Sequence, residues 1–376
     1  MTEHNHKEKI FWCKNCLNAS TRPRIEFDSR GWCNACQWME KKKNLDWTFR
    51  KKELQKIVEY CRSHPSEFDC IVPVSGGKDG SAVSYKLKHE YGLNPLTVTI
   101  APPLSLELGN TNLQNFIDSG YTHIRISPDS EAMRILNRKG FEMKGFPYYG
   151  WLTAVYSGVV RTALNYNVPM IFYGEDGEVE YGGLPNAKNE FIFDVDYMRK
   201  IYLEAGQDKV LAASGLSDSE LYFFSFPSEN DIKKIGVKAT HWSNYENWDP
   251  YKNYMLAKEY CGLQEADNTN SGTFTNFAQN DQALYALHTY VMYLKFGFGR
   301  ATQDAGIEIR RGAMTRDQGL NLVHLYDGHY PEEFIDTYLN YYQMTNEEFD
   351  TVLDTWVNKD LFSKENGRWQ PKFTVK

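Results

Sequence analysis

Apolar positions along the chain follow two periodicities, and the switches between them mark out the predicted elements. Leu54, Ile57, Val58 and Cys61 recur at helical spacing and predict an amphipathic helix. Cys70-Ile71-Val72-Pro73-Val74 then forms a short unbroken apolar run, the pattern of a buried strand. Leu96-Thr97-Val98-Thr99-Ile100 predicts a second strand, His123-Ile124-Arg125-Ile126 a third and Met170-Ile171-Phe172-Tyr173 a fourth. Helical patterns lie between them, which predicts an α/β fold with a parallel sheet and crossover helices. Pro73 counts against the first strand, because proline donates nothing to a ladder; it is tolerable near the strand's end. Helical periodicity returns from Gln282 to Phe296 and, with many acids, from Pro331 to Leu361. Residues up to about Lys43 show neither period and are rich in cysteine and turns.

Composition narrows the class. Of 376 residues 41% are apolar and 24% charged, which is ordinary for a globular chain with a sizeable core. The net charge of −7 weighs against a broad surface for tracking tRNA or DNA phosphates. No apolar run is long enough to span a bilayer, and Met1 to Lys9 lack the apolar core of a signal peptide. The expectation is a cytoplasmic protein that engages neither membrane nor nucleic acid. Seven cysteines fit thiols or metal ligands better than a disulfide framework.

Four of those cysteines carry a pattern. Cys13-x2-Cys16 and Cys33-x2-Cys36 have the spacing of a four-thiolate zinc site, and Gly31 supplies a tight turn before the second pair. A closed four-thiolate site has no open coordination position, so the expected role of Zn2+ is structural. A module this short needs such help, since zinc binding in small modules supplies roughly 10–16 kcal/mol of folding free energy.

The second pattern is Val74-Ser75-Gly76-Gly77-Lys78-Asp79-Gly80-Ser81, which follows the first strand and opens a helix carrying Val83 and Leu87. Adjacent glycines let backbone approach an anion, and a helix N-terminus aims free N–H groups at it. Ser75 and Ser81 add hydroxyls, Lys78 a cation, and Asp79 a carboxylate able to orient the loop or hold Mg2+. The string resembles the Ser-Gly-Gly-x-Asp-Ser loop of the PP-loop ATP pyrophosphatases and differs from the Walker loop, which ends in Gly-Lys-Ser/Thr. Gly80 stands where serine is usual in that loop, and Ser81 comes one residue later. The resemblance implies a Rossmann-like sheet and cleavage of ATP between its α- and β-phosphates.

Further segments narrow the likeness. They are Thr21-Arg22-Pro23-Arg24-Ile25-Glu26-Phe27-Asp28, Cys33-Asn34-Ala35-Cys36, Gln114-Asn115-Phe116-Ile117-Asp118-Ser119-Gly120, Ile171-Phe172-Tyr173-Gly174-Glu175, Glu180-Tyr181-Gly182, Lys295-Phe296-Gly297-Phe298-Gly299-Arg300-Ala301-Thr302 and Ile309-Arg310-Arg311-Gly312. Together they resemble the N-acetyl sugar amidotransferases of surface-polysaccharide (lipopolysaccharide O-antigen) and flagellin-glycan pathways. That resemblance implies conversion of an acetamido group to an acetamidino group on a nucleotide sugar or nonulosonic acid, with release of AMP and pyrophosphate. It also implies separate glutaminase and cyclase-like subunits as the source of ammonia. Residue two is Thr2 and no cysteine lies in a Gly-x-Cys-x-Gly elbow, so no glutaminase is visible here.

The predicted division is a zinc ribbon over 1–45, a PP-loop domain over 46–300 and a helical C-terminal region over 301–376. Expected ATP contacts are Ser75, Gly76, Gly77, Lys78, Asp79, Gly80 and Ser81, with Gly174 and Glu175 at the end of the fourth strand, where open parallel sheets bind ligands. Lys78, Asp79, Lys295 and Arg300 are the candidate catalytic residues, the cations gripping pyrophosphate. Arg310 is a similar candidate, Asp304 a group to orient an arginine, and Glu180 a ligand for magnesium or sugar hydroxyls. Tyr148, Tyr149 and Trp151 offer either a sugar-facing surface or core packing. His288 reads as a core or interface histidine, and Cys61, Cys70 and Cys261 as buried small residues. The alternative function is tRNA thiolation, which also combines a zinc ribbon with this loop but needs relay cysteines. An inactive scaffold is a third reading.

Overall fold

The computed structural model of the chain describes residues 10–183 and 191–376. At its centre lie β1 (Cys70–Pro73), β2 (Pro95–Ile100), β3 (His123–Ile126), β4 (Met170–Tyr173) and β5 (Lys238–His241). They form one sheet in the order β3-β2-β1-β4-β5, with every neighbouring pair parallel. The strand alternation sorts the core into two faces. Cys70, Val72 and Val74 join Leu54, Ile57 and Val58 of the helix Trp47–Ser63 on one side. Ile71, Leu96 and Val98 join Val159, Val160 and Ala163 of the helix Tyr149–Asn165 on the other. Pro73 closes β1, so the missing donor costs the ladder nothing, and the next N–H, of Val74, donates to the Val98 carbonyl at 2.9 Å.

β5 was not visible as a pattern. Lys238 is exposed and Thr240 and His241 are buried polar residues, so the segment has no apolar run. Its pairing with β4 depends on a long-range contact.

After the sheet the chain becomes helical: Leu284–Phe296, Arg300–Arg310, Arg316–Tyr326, Ile335–Tyr342 and Asn346–Trp356. Thr345 and Glu348 form a reciprocal cap that starts the last of these. A hairpin, β6 (Phe362–Glu365) and β7 (Arg368–Pro371), then turns at Asn366-Gly367, both with positive φ. This region has its own aromatic core, in which Tyr338, Tyr342 and Phe349 pack with Leu284, Leu287 and Phe141. The two buried tyrosine hydroxyls are satisfied by the Ala283 and Pro147 carbonyls at 2.7 and 2.6 Å. Among the described residues no helix is long and apolar enough to cross a membrane.

Candidate active site

β1 is flanked by β2 and β4, and the chain leaves β1 toward β2 but later returns to the opposite side for β4. The loops after β1 and β4 therefore diverge and open a crevice at the carboxyl ends of the strands, where open α/β sheets bind ligands. The loop after β1 carries Ser75 to Gly77 and runs into α-helical Lys78–Tyr85, capped at Gly77. Gly76 has φ +78°, and a Cβ there would overlap the Leu113 backbone, so the loop is glycine for steric reasons. Gly80 is also dictated by packing: a Cβ would stand 2.9 Å from the Pro73 carbonyl oxygen and 3.1 Å from Val74 Cα. Ser81 is fully buried, its hydroxyl has no partner among the described residues, and it does not line the cleft.

The cleft, ≈ 290 Å3, brings Ser75, Gly77, Lys78, Asp79 and Gly80 together with Glu175 from the β4 loop and Arg300 from the C-terminal region. Asp79 is held by the Lys78 ammonium and by Asn253 Nδ2 at 3.3 Å. Glu175 Oε2 accepts from the Tyr181 hydroxyl and from Trp248 Nε1, the latter at 3.1 Å. Burial, and then the Asp79 charge, raise the Glu175 carboxyl above its ordinary value. Burial opposes the charge on Lys78, but Asp79 and Glu175 outweigh it and hold the ammonium above the usual lysine value. Arg300 is likewise raised: burial acts against it, and Asp304 at 2.9 Å prevails. Asp304 also accepts from the Thr273 hydroxyl at 2.6 Å, so its role is to orient Arg300. Gly174 stands against Asp79 and Trp248, and a Cβ there would press on both side chains at 3.1 Å.

Two carboxylates and two cations lining one cleft are suited to a divalent ion and an oligophosphate. Beside the cleft, and sharing Ser75, Gly109 and Asp281 with it, lies an apolar slot walled by Val98, Ile100, Trp151, Val155 and Val159. Trp151 faces this slot and donates to the Ile100 carbonyl at 3.1 Å, whereas Tyr149 is core, bonded to the Leu203 carbonyl. Sequence reading missed Asn112, Asp281 and Tyr285, which also line the cleft. They sit in helix and loop segments with no motif, and only the fold brings them here. Burial pushes the Asp281 carboxyl up to about 6.

Lys295 does not reach the cleft; it donates to the Lys144 carbonyl at 2.8 Å and lines a separate cavity. Arg310 is also elsewhere, its guanidinium beside Cys16, where the cysteine sulfurs hold its charge in place against burial. Glu180 does not line the cleft, and Lys42 Nζ at 2.6 Å and Trp38 Nε1 at 3.0 Å meet its oxygens.

Cys13, Cys16, Cys33 and Cys36 converge, all buried, with sulfur atoms within 4.8 Å of one another. Cys13–Cys36, Cys16–Cys33 and Cys33–Cys36 are 3.7, 3.5 and 3.7 Å apart. A zinc tetrahedron with bonds of about 2.3 Å has edges of roughly 3.8 Å, so the set fits that ion. Donors aimed at sulfur complete it: Cys33 N–H to Cys13 at 3.2 Å, Asn15 Nδ2 to Cys36 at 3.3 Å and Asn18 Nδ2 to Cys33 at 3.4 Å. The module docks on the loop after β4 through Glu180, through the Arg24–Glu178 pair at 2.6 Å, and through Asn34 Nδ2 on the Gly183 carbonyl at 2.7 Å.

An uncharacterized protein of Methanocaldococcus jannaschii, MJ1599, is 30% identical over 89 residues, 23% of this chain and 32% of that protein. The chain thus spans about a third of the length of this curated relative. Residues 271–374 match the C-terminal domain of WbpG-like LPS biosynthesis proteins, a stretch that supplies Asp281, Tyr285 and Arg300 to the cleft. Through this region the chain is similar to WbpG-like proteins of lipopolysaccharide biosynthesis.

Proposed function

We propose that the protein is an ATP-dependent amidotransferase of the PP-loop type that turns the acetamido group of an N-acetyl sugar into an acetamidino group. The observation that carries the reading is the crevice between the β1 and β4 loops, where Lys78, Asp79, Glu175 and Arg300 meet beside an apolar slot of a size and character suited to a nucleoside. The match of residues 271–374 to LPS biosynthesis proteins supports a sugar as the acceptor.

In the proposed reaction the amide oxygen attacks the α-phosphorus of ATP and pyrophosphate leaves. Ammonia then adds to the activated carbon, AMP leaves with the former amide oxygen, and a proton is lost, giving the amidine. The glycine loop and the N–H groups opening the helix Lys78–Tyr85 bind phosphate oxygens. Lys78 and Arg300 stabilise charge as it moves onto pyrophosphate. Asp79 and Glu175 would hold Mg2+, which neutralises phosphate charge when bound. Ammonia would come from partner glutaminase and cyclase-like subunits. In the folded cysteine module Zn2+ would serve as a structural ion.

Thiolation of tRNA fits less well. Cys61, Cys70 and Cys261 all lie in the core beneath the sheet, and burial raises each thiol, Cys61 to about 12 and Cys261 to about 11. None is a relay nucleophile. The test is AMP and pyrophosphate release from the zinc-loaded protein with ATP, Mg2+ and ammonium across N-acetylated sugars and nucleotide sugars, with mass spectrometry of the product. Asp79→Ala is expected to lower turnover by about 10²–10³-fold with an unchanged melting temperature. ATP cleavage that responds to tRNA and to no sugar would overturn the reading.

A further inference from the structure

The Thr21–Arg24 loop of the cysteine module and the segment from Lys295 to Phe298 meet in a cavity that shares no lining residue with the phosphate cleft. Thr21 Oγ1 donates to the Phe296 carbonyl and the Arg22 guanidinium lies 5.8 Å from the Phe298 ring centroid. We propose that this cavity holds the anionic group, carboxylate or phosphate, of the acceptor whose amide is activated in the neighbouring cleft. The proposal rests on the amidotransferase reading and adds to it the place and chemistry of acceptor recognition.

The lining carries Arg22, Arg24 and Lys295 against Glu178 and Glu204, three cations and two acids, so +1 in a chain whose net charge is −7. Arg24 already occupies both Glu178 oxygens, at 3.0 and 2.6 Å, and Glu204 lies 3.5 Å from Lys144. Among the described residues neither Arg22 nor Lys295 has a carboxylate within ion-pair distance. Both are desolvated, and burial draws the Arg22 guanidinium down to about 10 and lowers the Lys295 ammonium. Glu178 and Glu204 act on Arg22 and Lys295 from beyond ion-pair distance, and Lys295 also meets the Phe296 and Trp356 rings, so an anionic ligand would add the direct charged partner that each lacks. The planar fork of arginine matches carboxylate and phosphate oxygens alike.

The remaining walls are apolar or aromatic: Phe146, His288, Met292, Phe296 and Phe298. His288 is neutral, since burial and then the charges of Lys295 and Arg300 lower it to about 3. An uncharged aromatic wall beside two cations suits a sugar ring with an appended anion. The place is right as well. Segment 295–300 carries Lys295 into this cavity and Arg300 into the cleft. Fully extended, that stretch spans at most about 18 Å. In the proposal one extended acceptor presents its anion here and its acetamido group to the cleft.

The experiment uses the full-length, zinc-loaded protein in two arms. Calorimetry with a non-hydrolysable ATP analogue present compares UDP-N-acetylglucosamine, N-acetylneuraminic acid and neutral N-acetylglucosamine. Arg22→Gln and Lys295→Met change two separate elements, and zinc content and melting temperature report on folding. The expected result is binding of at least one anionic probe, weakened about 10-fold or more by both variants, with affinity for the ATP analogue changed less than about twofold. In turnover the loss is expected in KM for the acceptor. Binding of the neutral sugar as tightly as both anions, no binding of any probe, or well-folded variants with unchanged affinity would overturn the subsite. Failure of the function reading looks different: anionic probes bind through Arg22 and Lys295, but no AMP or pyrophosphate forms with any acceptor.

Discussion

The cysteine module and the cleft are both built on short glycine-containing motifs, and the charged groups of both are paired, but only those of the cleft line an open volume. In the module the polar groups that matter are paired. The sulfurs receive Asn15, Asn18 and backbone N–H groups, and Glu180 receives Lys42 and Trp38. In the cleft Lys78 pairs with Asp79, Arg300 with Asp304, and Glu175 accepts from Tyr181 and Trp248, yet Lys78, Asp79, Glu175 and Arg300 still line an open volume. Polar groups closed on one another make a rigid part; paired groups that still line an open volume can meet a ligand. The two are joined by the loop after β4, which carries Glu175 on the cleft side and Glu178 and Glu180 on the module side. The module therefore packs against the loop that carries Glu175 into the cleft.

The strongest way to break this comparison is to remove the metal ligands. Cys36→Ser is expected to abolish zinc in elemental analysis and to lower the melting temperature by roughly 10 °C or more, at about 2–4 °C per kcal/mol. A retained melting temperature would mean that packing alone holds the module. Next is the clamp: Lys42 and Glu180 have side chains 2% and 10% exposed. Glu180→Ala leaves a buried ammonium unpaired, with an expected loss of about 3–5 kcal/mol in urea unfolding and a fall in ATP turnover as the Glu175 loop loosens. Full activity in that variant would separate module from cleft.

A smaller effect comes from Gly80→Ser, which restores the usual residue of the loop but places Cβ against Pro73 and Val74. It should cost about 1–3 kcal/mol and lower ATP affinity in the same titration. The smallest test is pH. Asp176 caps the short helix Gly177–Glu180 by accepting the Glu178 N–H at 3.0 Å, and burial raises its carboxyl from 3.8 to about 7. The folded state binds this proton more tightly than the unfolded chain, so its contribution to stability falls as pH rises from 3.8 to about 7. Asp176→Asn should flatten that part of the curve of melting temperature against pH; an unchanged slope would place the titration elsewhere.

How much was legible varied by element. β1 and β4 were read from apolar runs because both faces of a central parallel strand are buried, whereas β2 and the edge strand β3 showed apolar residues only at alternate positions. β5 escaped because its buried residues are threonine and histidine, satisfied by partners rather than by hydrophobicity: Thr240 donates to the Phe191 carbonyl and His241 Nε2 meets the Tyr202 hydroxyl at 2.9 Å. The long helical tail was read as one texture, whereas capping at Thr315 and Thr345 and the Asn366-Gly367 turn divide it. Lys295 and Arg300 are neighbours in one motif, and nothing in their spacing tells that a helix end lies between them.

The sequence by itself determined what depends on local spacing: four thiols able to meet one ion, a glycine loop opening a helix, and the strands that feed it. Backbone geometry fixes such arrangements over a few residues. Only the tertiary structure decided which distant groups converge. It brought Arg300 and Asp281 to the loop, moved Lys295 to a second cavity and Arg310 to the cysteines, and made Glu180 a clamp. Those assignments rest on chain crossovers and long-range packing, whose energies are shared among many residues and leave no pattern in any one segment.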